Sequence, residues 1–245
     1  MRDAIRSEVL KVTTVRGLWL GAVLATVAVP LFSLLVVGTD GLGVDDTITS
    51  GAATGTIVGL LAFGAWAATL SAGEYARQTM SVTLATVPRR SVLYGAKLIA
   101  TAAIAGAGAL VSALASLGIV RLAATPGEHE LGRPASLVAL VLAIVAVSVL
   151  GTAVGLLTRS TTAAITIVVL AVLLPKAAGG LLGGLEPWVV GASPATVVTQ
   201  VVGGAQLASD QTYPGGDWPA VLTMLGVAAV VALGGGVALH RRDGQ

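Results

Sequence analysis

Six stretches of this sequence are each long and apolar enough to cross a bilayer, at 18–37, 52–73, 98–120, 136–157, 161–181 and 219–239. A helix rises ~1.5 Å per residue, so about 20 such residues cover ~30 Å of hydrocarbon. The charges between the stretches sort by side. With the N-terminus in the cytoplasm, Arg2, Arg6, Lys11, Arg16, Arg77, Arg89, Arg90, Lys97, Arg159, Arg241 and Arg242 lie inside, which is 11 of the 14 basic residues. Arg121, Arg133 and Lys176 lie outside, with eight of the 12 acidic residues. Lysine and arginine bias sets orientation, so the chain is expected to be a multi-pass protein of the cell membrane with both termini in the cytoplasm.

Composition agrees. A mean hydropathy of +0.92, 55% apolar residues and 11% charged residues exclude an ordinary soluble domain, which carries about 25% charge. The longest stretch between spans, 182–218, is too short to bury a soluble core. An all-α, single membrane domain over 1–245 is expected. The basic pI does not point to nucleic acid, because the positive charge is confined to the inner side, where topology and anionic headgroups account for it. No cysteine is present, so disulfides and thiolate chemistry are excluded. His129 and His240 fall on opposite faces and cannot share a site within one subunit. The first apolar run is too long for a signal-peptide core and lacks a small-x-small end, so it is read as a retained span.

Glycine is abundant, at 32 residues. Gly55-x-x-x-Gly59 and Gly151-x-x-x-Gly155 have the spacing that lets helix backbones approach in lipid. Packing within one subunit is the main reading and a dimer seam the other.

Along the chain, residues 1–17 read as an amphipathic helix in the headgroup plane. Ile5, Val9 and Val12 recur at helical spacing, with Arg2, Arg6, Glu8 and Lys11 around the other faces and Arg16 before a turn at Gly17. Loop 38–50, with Asp40, Asp45 and Asp46, lacks the calcium-loop pattern and reads as a solvated acidic loop. The segment 74–97, EYARQTMSVTLATVPRRSVLYGAK, is the longest inner loop. A short helix over 74–86 is expected to stop at Pro88, because the residue before proline is biased away from α, and to restart near Ser91. The segment is either a docking element or a solvated basic loop.

At these residues the sequence resembles the permeases of type 2 ATP-binding-cassette (ABC-2) transporters, of the compact six-span actinobacterial kind encoded apart from the ATPase. Glu74, Thr79, Leu84, Pro88, Arg90 and Lys97 follow the family's order, and the opening SEVLKVTTVRGLW is similar to the start of such proteins. The resemblance implies a permease that pairs with a second, same or similar chain and binds two ABC ATPase subunits. It implies that 74–90, with Glu74, Tyr75, Arg77, Thr79, Leu84, Pro88, Arg89, Arg90 and, beyond it, Lys97, couples to the ATPase. The interface helix, with Arg6, Glu8, Lys11 and Arg16, would add contact with that subunit. The outer segment 182–218 would fold back as a re-entrant gate, with Pro187, Trp188 and Pro194 among its breaks and anchors. ATP and Mg²⁺ would be held by the partner; no cofactor is expected on this chain.

The residues exclude other chemistry on their own terms. No G-x-x-x-x-G-K-[ST] phosphate loop occurs, since Gly95-Ala96-Lys97 lacks the spacing, so the chain is not expected to be an enzyme. No HExxH occurs, and Gly191-Ala192-Ser193-Pro194 has no histidine on a later span to activate the serine. No span centre carries a charge, which argues against a proton relay and suits export driven from outside the membrane. An apolar pathway implies a lipophilic or amphipathic substrate, such as a drug, an antibiotic or a lipid-like molecule. The other reading is a non-transporting scaffold or sensor that binds a cytoplasmic protein through the basic loop.

Overall fold

The computed structural model describes residues 1–39, 41–43, 46–76, 90–125, 129–203 and 211–242, and among these every regular element is helical. Helix α1 covers Arg2–Thr14 and α2 Arg16–Gly38, with Val15 alone extended between them (φ −86°, ψ 108°). The break falls at Val15 rather than at Gly17, because a β-branched residue accepts extended geometry readily. Helices α3 (Ile48–Ala53), α4 (Thr56–Ala76), α5 (Arg90–Ala123), α6 (Ala135–Thr158) and α7 (Thr161–Ala177) follow. Two 3-10 turns at Gly179–Leu181 and Gly183–Leu185 lead to α8 (Glu186–Val189), α9 (Pro194–Val202) and α10 (Asp217–Arg242).

Five of these segments are long and apolar enough to cross a membrane: α2, α3 with α4, α5, α6 and α10. Helix α7 has 17 residues and ends before the expected position 181. Pro175 leaves no N–H to continue the ladder, and Gly179-Gly180 disfavours helix. At ~25 Å it is at the short limit for a span.

Contacts fix the direction of each helix. Ser33 of α2 donates to the Gly51 carbonyl, and Lys97 of α5 meets Glu74 of α4. Gly151 and Gly155 of α6 lie against Gly64 and Ala68 of α4 in the same order. Helices α2, α5 and α7 therefore run one way, and α4, α6 and α10 the other. One face, here called basal, carries α1, both ends of the 77–89 connection and the α6–α7 turn. The distal face carries α3, residues 129–134, α8 and α9.

Helix α6 is the centre of the bundle, packed against α4, α5, α7, α9 and α10. Ala139, Leu140, Ala143, Ile144 and Val147 are buried, and so are Gly151, Thr152 and Gly155. A helix apolar on every side suits this place. Helix α2, equally apolar, instead exposes Leu20, Leu24, Leu31 and Leu35. Both glycine pairs serve packing within the chain: Gly55 and Gly59 admit Val29 of α2, and Gly151 and Gly155 admit the backbone of α4. A Cβ on Gly151 would lie 2.6 Å from the Gly64 carbonyl oxygen.

On the distal face the α2–α3 loop docks on the α5–α6 loop. Ile48 and Thr49 donate their N–H groups to the Glu130 and Leu131 carbonyls, at 2.9 and 3.1 Å. Thr47 and Ser50 form a capping box at the start of α3. Gly132 turns at φ +79°, and a Cβ there would collide with the Thr47 and Thr49 hydroxyls. Asp46, expected in a solvated loop, accepts from Gly43 N and Ser50 Oγ; Asp40 and Asp45 lie outside the described residues.

The α4–α6 seam makes a direct prediction. Gly151→Leu should lower the detergent-solubilised melting temperature by an amount reflecting about 1–3 kcal/mol of overpacking. Gly118→Leu, where nothing lies within 4 Å of the added Cβ, should not. Equal melting temperatures for the two variants would show that the seam is not tightly packed.

Candidate functional site

Four charges meet at the basal face. Glu8 and Lys11 come from α1, one turn apart. Glu74 is two residues from the end of α4, and Lys97 lies in the second turn of α5. Lys11 Nζ lies 2.7 Å from Glu8 Oε1 and 2.9 Å from Glu74 Oε1. Lys97 Nζ lies 3.0 Å from Glu8 Oε2 and 2.5 Å from the same Glu74 Oε1. The four side chains close a ring of alternating charge with no net charge. Glu8 and Lys97 are 2% exposed and Glu74 9%, so three of the four are buried in the helix junction.

Burying each charge costs several kcal/mol, and only close pairing with opposite charges offsets it. In the ring every ammonium touches two carboxylates and every carboxylate two ammonium groups. Burial disfavours the charged Lys11, but the hydrogen bond it donates to Glu8 and the nearby Glu74 and Glu8 charges together raise its pKa above the ordinary 10.5. Lys11 therefore contributes stability in full below its ordinary value of 10.5, where it is charged even unfolded, and loses it as the pH rises through the higher folded value.

The ring corrects the reading of α1. Glu8 was expected on a solvated face, but Ala4, Glu8 and Val12 form the buried stripe, while Val9 is exposed. Arg6 and Arg16 are exposed and stand outside the ring. Of the residues assigned to coupling, Glu74 and Lys97 are buried in this junction, and Tyr75 lies beside it. Arg77, Thr79, Leu84, Pro88 and Arg89, with most of the expected 74–86 helix, lie outside the described residues. Arg90 is the first residue of α5.

A residue that the sequence marked only as an inner charge also belongs here. Arg159 caps α6 in the left-handed region (φ 55°), and its guanidinium carbon sits 5.3 Å from the centre of the Tyr75 ring. Ser160 then caps α7 by accepting from Ala163 N. A two-residue turn between apolar stretches calls for a left-handed C′ residue, normally glycine. Arginine in that place was the available signal.

At the distal face, 182–203 breaks into short helices. Pro187 and Pro194 open α8 and α9, and Gly203 (φ 77°) closes α9. Ala195, Val197, Val198 and Val201 of α9 are buried in the bundle. Trp188 meets Tyr213 edge-on at 5.3 Å. Gln200 Oε1 accepts from Tyr213 N at 2.9 Å and its Nε2 donates to Asp217 at 3.4 Å, which ties this segment to the start of α10; Arg133, just before α6, donates to the same Asp217 at 3.2 Å.

These features define a polytopic helical membrane protein with a charged junction on one face and an infolded segment on the other. The chain belongs to the ABC-2 family of transporter proteins: the family model described as ABC-2 family transporter protein matches residues 4–175, which includes the whole charge ring and the Tyr75–Arg159 contact. No match among curated proteins adds to this assignment. An ABC-2 membrane domain is a transport domain and not itself a hydrolase, and the family generally pairs with ABC ATPase subunits.

The ring can be tested by substitution. Lys97→Met leaves two buried carboxylates sharing one lysine and should cost ~3–5 kcal/mol of stability. Removing the partner carboxylate as well, in Glu74→Gln combined with Lys97→Met, leaves Glu8 and Lys11 as a neutral pair and should recover more than half of the loss in melting temperature. If the double variant melts no higher than Lys97→Met, the two residues do not act as a pair. In the same assay, Lys11→Met should be less stable than the parent at pH 7 to 9, and the gap should narrow as the pH rises beyond the ordinary lysine value of 10.5.

Proposed function

We propose that this chain is the permease subunit of an ABC exporter. It works as a pair with a second permease, the same or similar, and is driven by two ATPase subunits that hold ATP and Mg²⁺. In this reading α7 is the sixth span and the domain runs over 1–245. The basal face and both termini are cytoplasmic, and the membrane is the cell membrane. The observation that carries the reading is the charge ring. Glu74 and Lys97 stand at the two stems of the 77–89 connection, and Glu8 and Lys11 bind α1 to both. A force applied to the connection by an ATPase reaches α1, α4 and α5 together, because the ring makes their basal ends one body. Arg159 on Tyr75 extends that body to the α6–α7 turn.

The resemblance of Glu74–Lys97 to the family's coupling segment supports the direction of that force, and the family match supports the ATPase partner. At the other end, the infolded 182–203 segment with Trp188 is the outer gate. A lipophilic or amphipathic substrate, including drugs, antibiotics and lipid-like molecules, suits the apolar helices that surround it.

Charge reversal at Arg89 and Arg90 should reduce substrate-coupled ATP turnover in the purified complex while leaving membrane insertion intact. Unchanged turnover would remove the coupling role. Failure to isolate any ATPase with the native complex would favour the scaffold reading instead. Orientation has its own check: a single cysteine at position 129 should label from outside, and one at 85 only after permeabilisation. Labelling at 85 from outside would overturn both orientation and coupling.

A further inference from the structure

Helices α7 and α10 both pack on α6 but make no extensive contact with each other. The gap between them is a cavity of about 340 Å³. Its floor is Ala146, Val147 and Leu150 of α6, and its walls are Ala171, Val172 and Pro175 of α7 and Met224, Val227 and Ala228 of α10. Its distal roof is the infolded segment from Trp188 to Pro194. The size is at the lower end of the ~300–1,000 Å³ typical of small-molecule sites. Trp188, Val189 and Val227 at its rim are 51%, 44% and 55% exposed, so the cavity is open at the bundle surface. Because α7 and α10 lie among the membrane helices, that surface faces hydrocarbon rather than water.

The lining specifies what can enter. No charged residue contributes to it. Its two hydroxyls are already engaged within the chain: Ser193 Oγ donates to Thr196 Oγ1, and Thr223 Oγ1 donates to the Pro219 carbonyl and pairs with the Tyr213 hydroxyl. A polar or ionised group would lose its hydration here without gaining a donor. An apolar void that stays empty forfeits dispersion contacts along its whole lining. The wall is complementary in polarity to one species present at high concentration beside it, a hydrocarbon chain.

We propose that this cleft is a lateral binding site for a single hydrocarbon chain of a bilayer amphiphile, entered between α7 and α10 beneath the infolded segment. The inference rests on the membrane placement of α7 and α10 and not on ATP-driven export. If the cleft serves the exported molecule, it is a site in the distal leaflet where the apolar part is held beside the gate.

The test uses the full complex in nanodiscs made with a phosphatidylcholine that carries a photoactivatable diazirine on one acyl chain. After irradiation, cross-linked peptides are mapped by mass spectrometry. Adducts are expected to concentrate on 171–175, 188–194 and 223–228, at least fivefold above the lipid-facing surfaces of α2 and α5 per exposed apolar residue. Ala171→Phe should fill the cavity and abolish that excess, leaving α2 and α5 adducts unchanged. Val227→Trp, at the exposed rim where folding is not at issue, should do the same. An even spread of adducts, or an excess that both variants leave intact, would overturn the proposal. So would efficient disulfide formation between two copies carrying Val227→Cys, which would put a second chain in the cleft. Loss of ATPase coupling in the Arg89 and Arg90 variants would not alter the adduct pattern, so this result and the export reading fail separately.

Discussion

Helices in hydrocarbon gain nothing from hiding leucine, since lipid is as apolar as the protein interior, and what holds them is how closely their backbones can approach. The α4–α6 seam is where this chain solves that problem. Gly151 and Gly155 set α6 directly on the Gly64 and Ala68 carbonyls, and α5, α7, α9 and α10 then build outward from α6. The seam also determines where the ends of α4 and α6 emerge on the basal face. Tyr75 and Arg159 meet there because their helices run parallel and in register. Packing by small residues thus positions polar groups some distance along the helix axis.

The charge ring contradicts local preference. Glu74 sits in the last turn of α4, where the helix dipole disfavours a carboxylate, and Glu8 takes up the centre of a buried stripe. Each choice costs stability unless the others are made as well. A set of mutually dependent violations is what a site requires and what a bundle held only by packing does not. Basal and distal faces differ in this respect. On the distal face the Arg133–Asp217 pair lies near the surface and ties the start of α6 to that of α10, whereas Glu8, Glu74 and Lys97 on the basal face are drawn inward to join three helices.

Much of the architecture is legible from residues alone, because an uninterrupted apolar run has few ways to be satisfied other than as a helix in lipid. The limits of α2, α6 and α10 fall within a few residues of the apolar runs for that reason. The end of α7 does not, because apolarity continues to Leu182 while Pro175 and Gly179-Gly180 stop the helix. The partners of Glu8 were not legible: helical periodicity tells which residues share a face, but here the buried face was centred on a carboxylate rather than on the valines. Glu74 and Lys97 stood out through their order in the chain, yet their meeting depends on α1 lying across the basal ends of the antiparallel α4 and α5. Arg159 was hidden because its role rests on a backbone angle and on a tyrosine 84 positions earlier.

The ring also has an order of assembly written into it. Synthesis delivers Glu8 and Lys11 first, then Glu74, and Lys97 last. Once Glu74 is made and until the ribosome passes residue 97, the nascent chain holds three of the four charges and an excess of one negative charge at the junction. Only the emergence of α5 brings the sum to zero. A product truncated or stalled between these two residues is thereby electrically distinct from the finished protein at the place where its helices must come together.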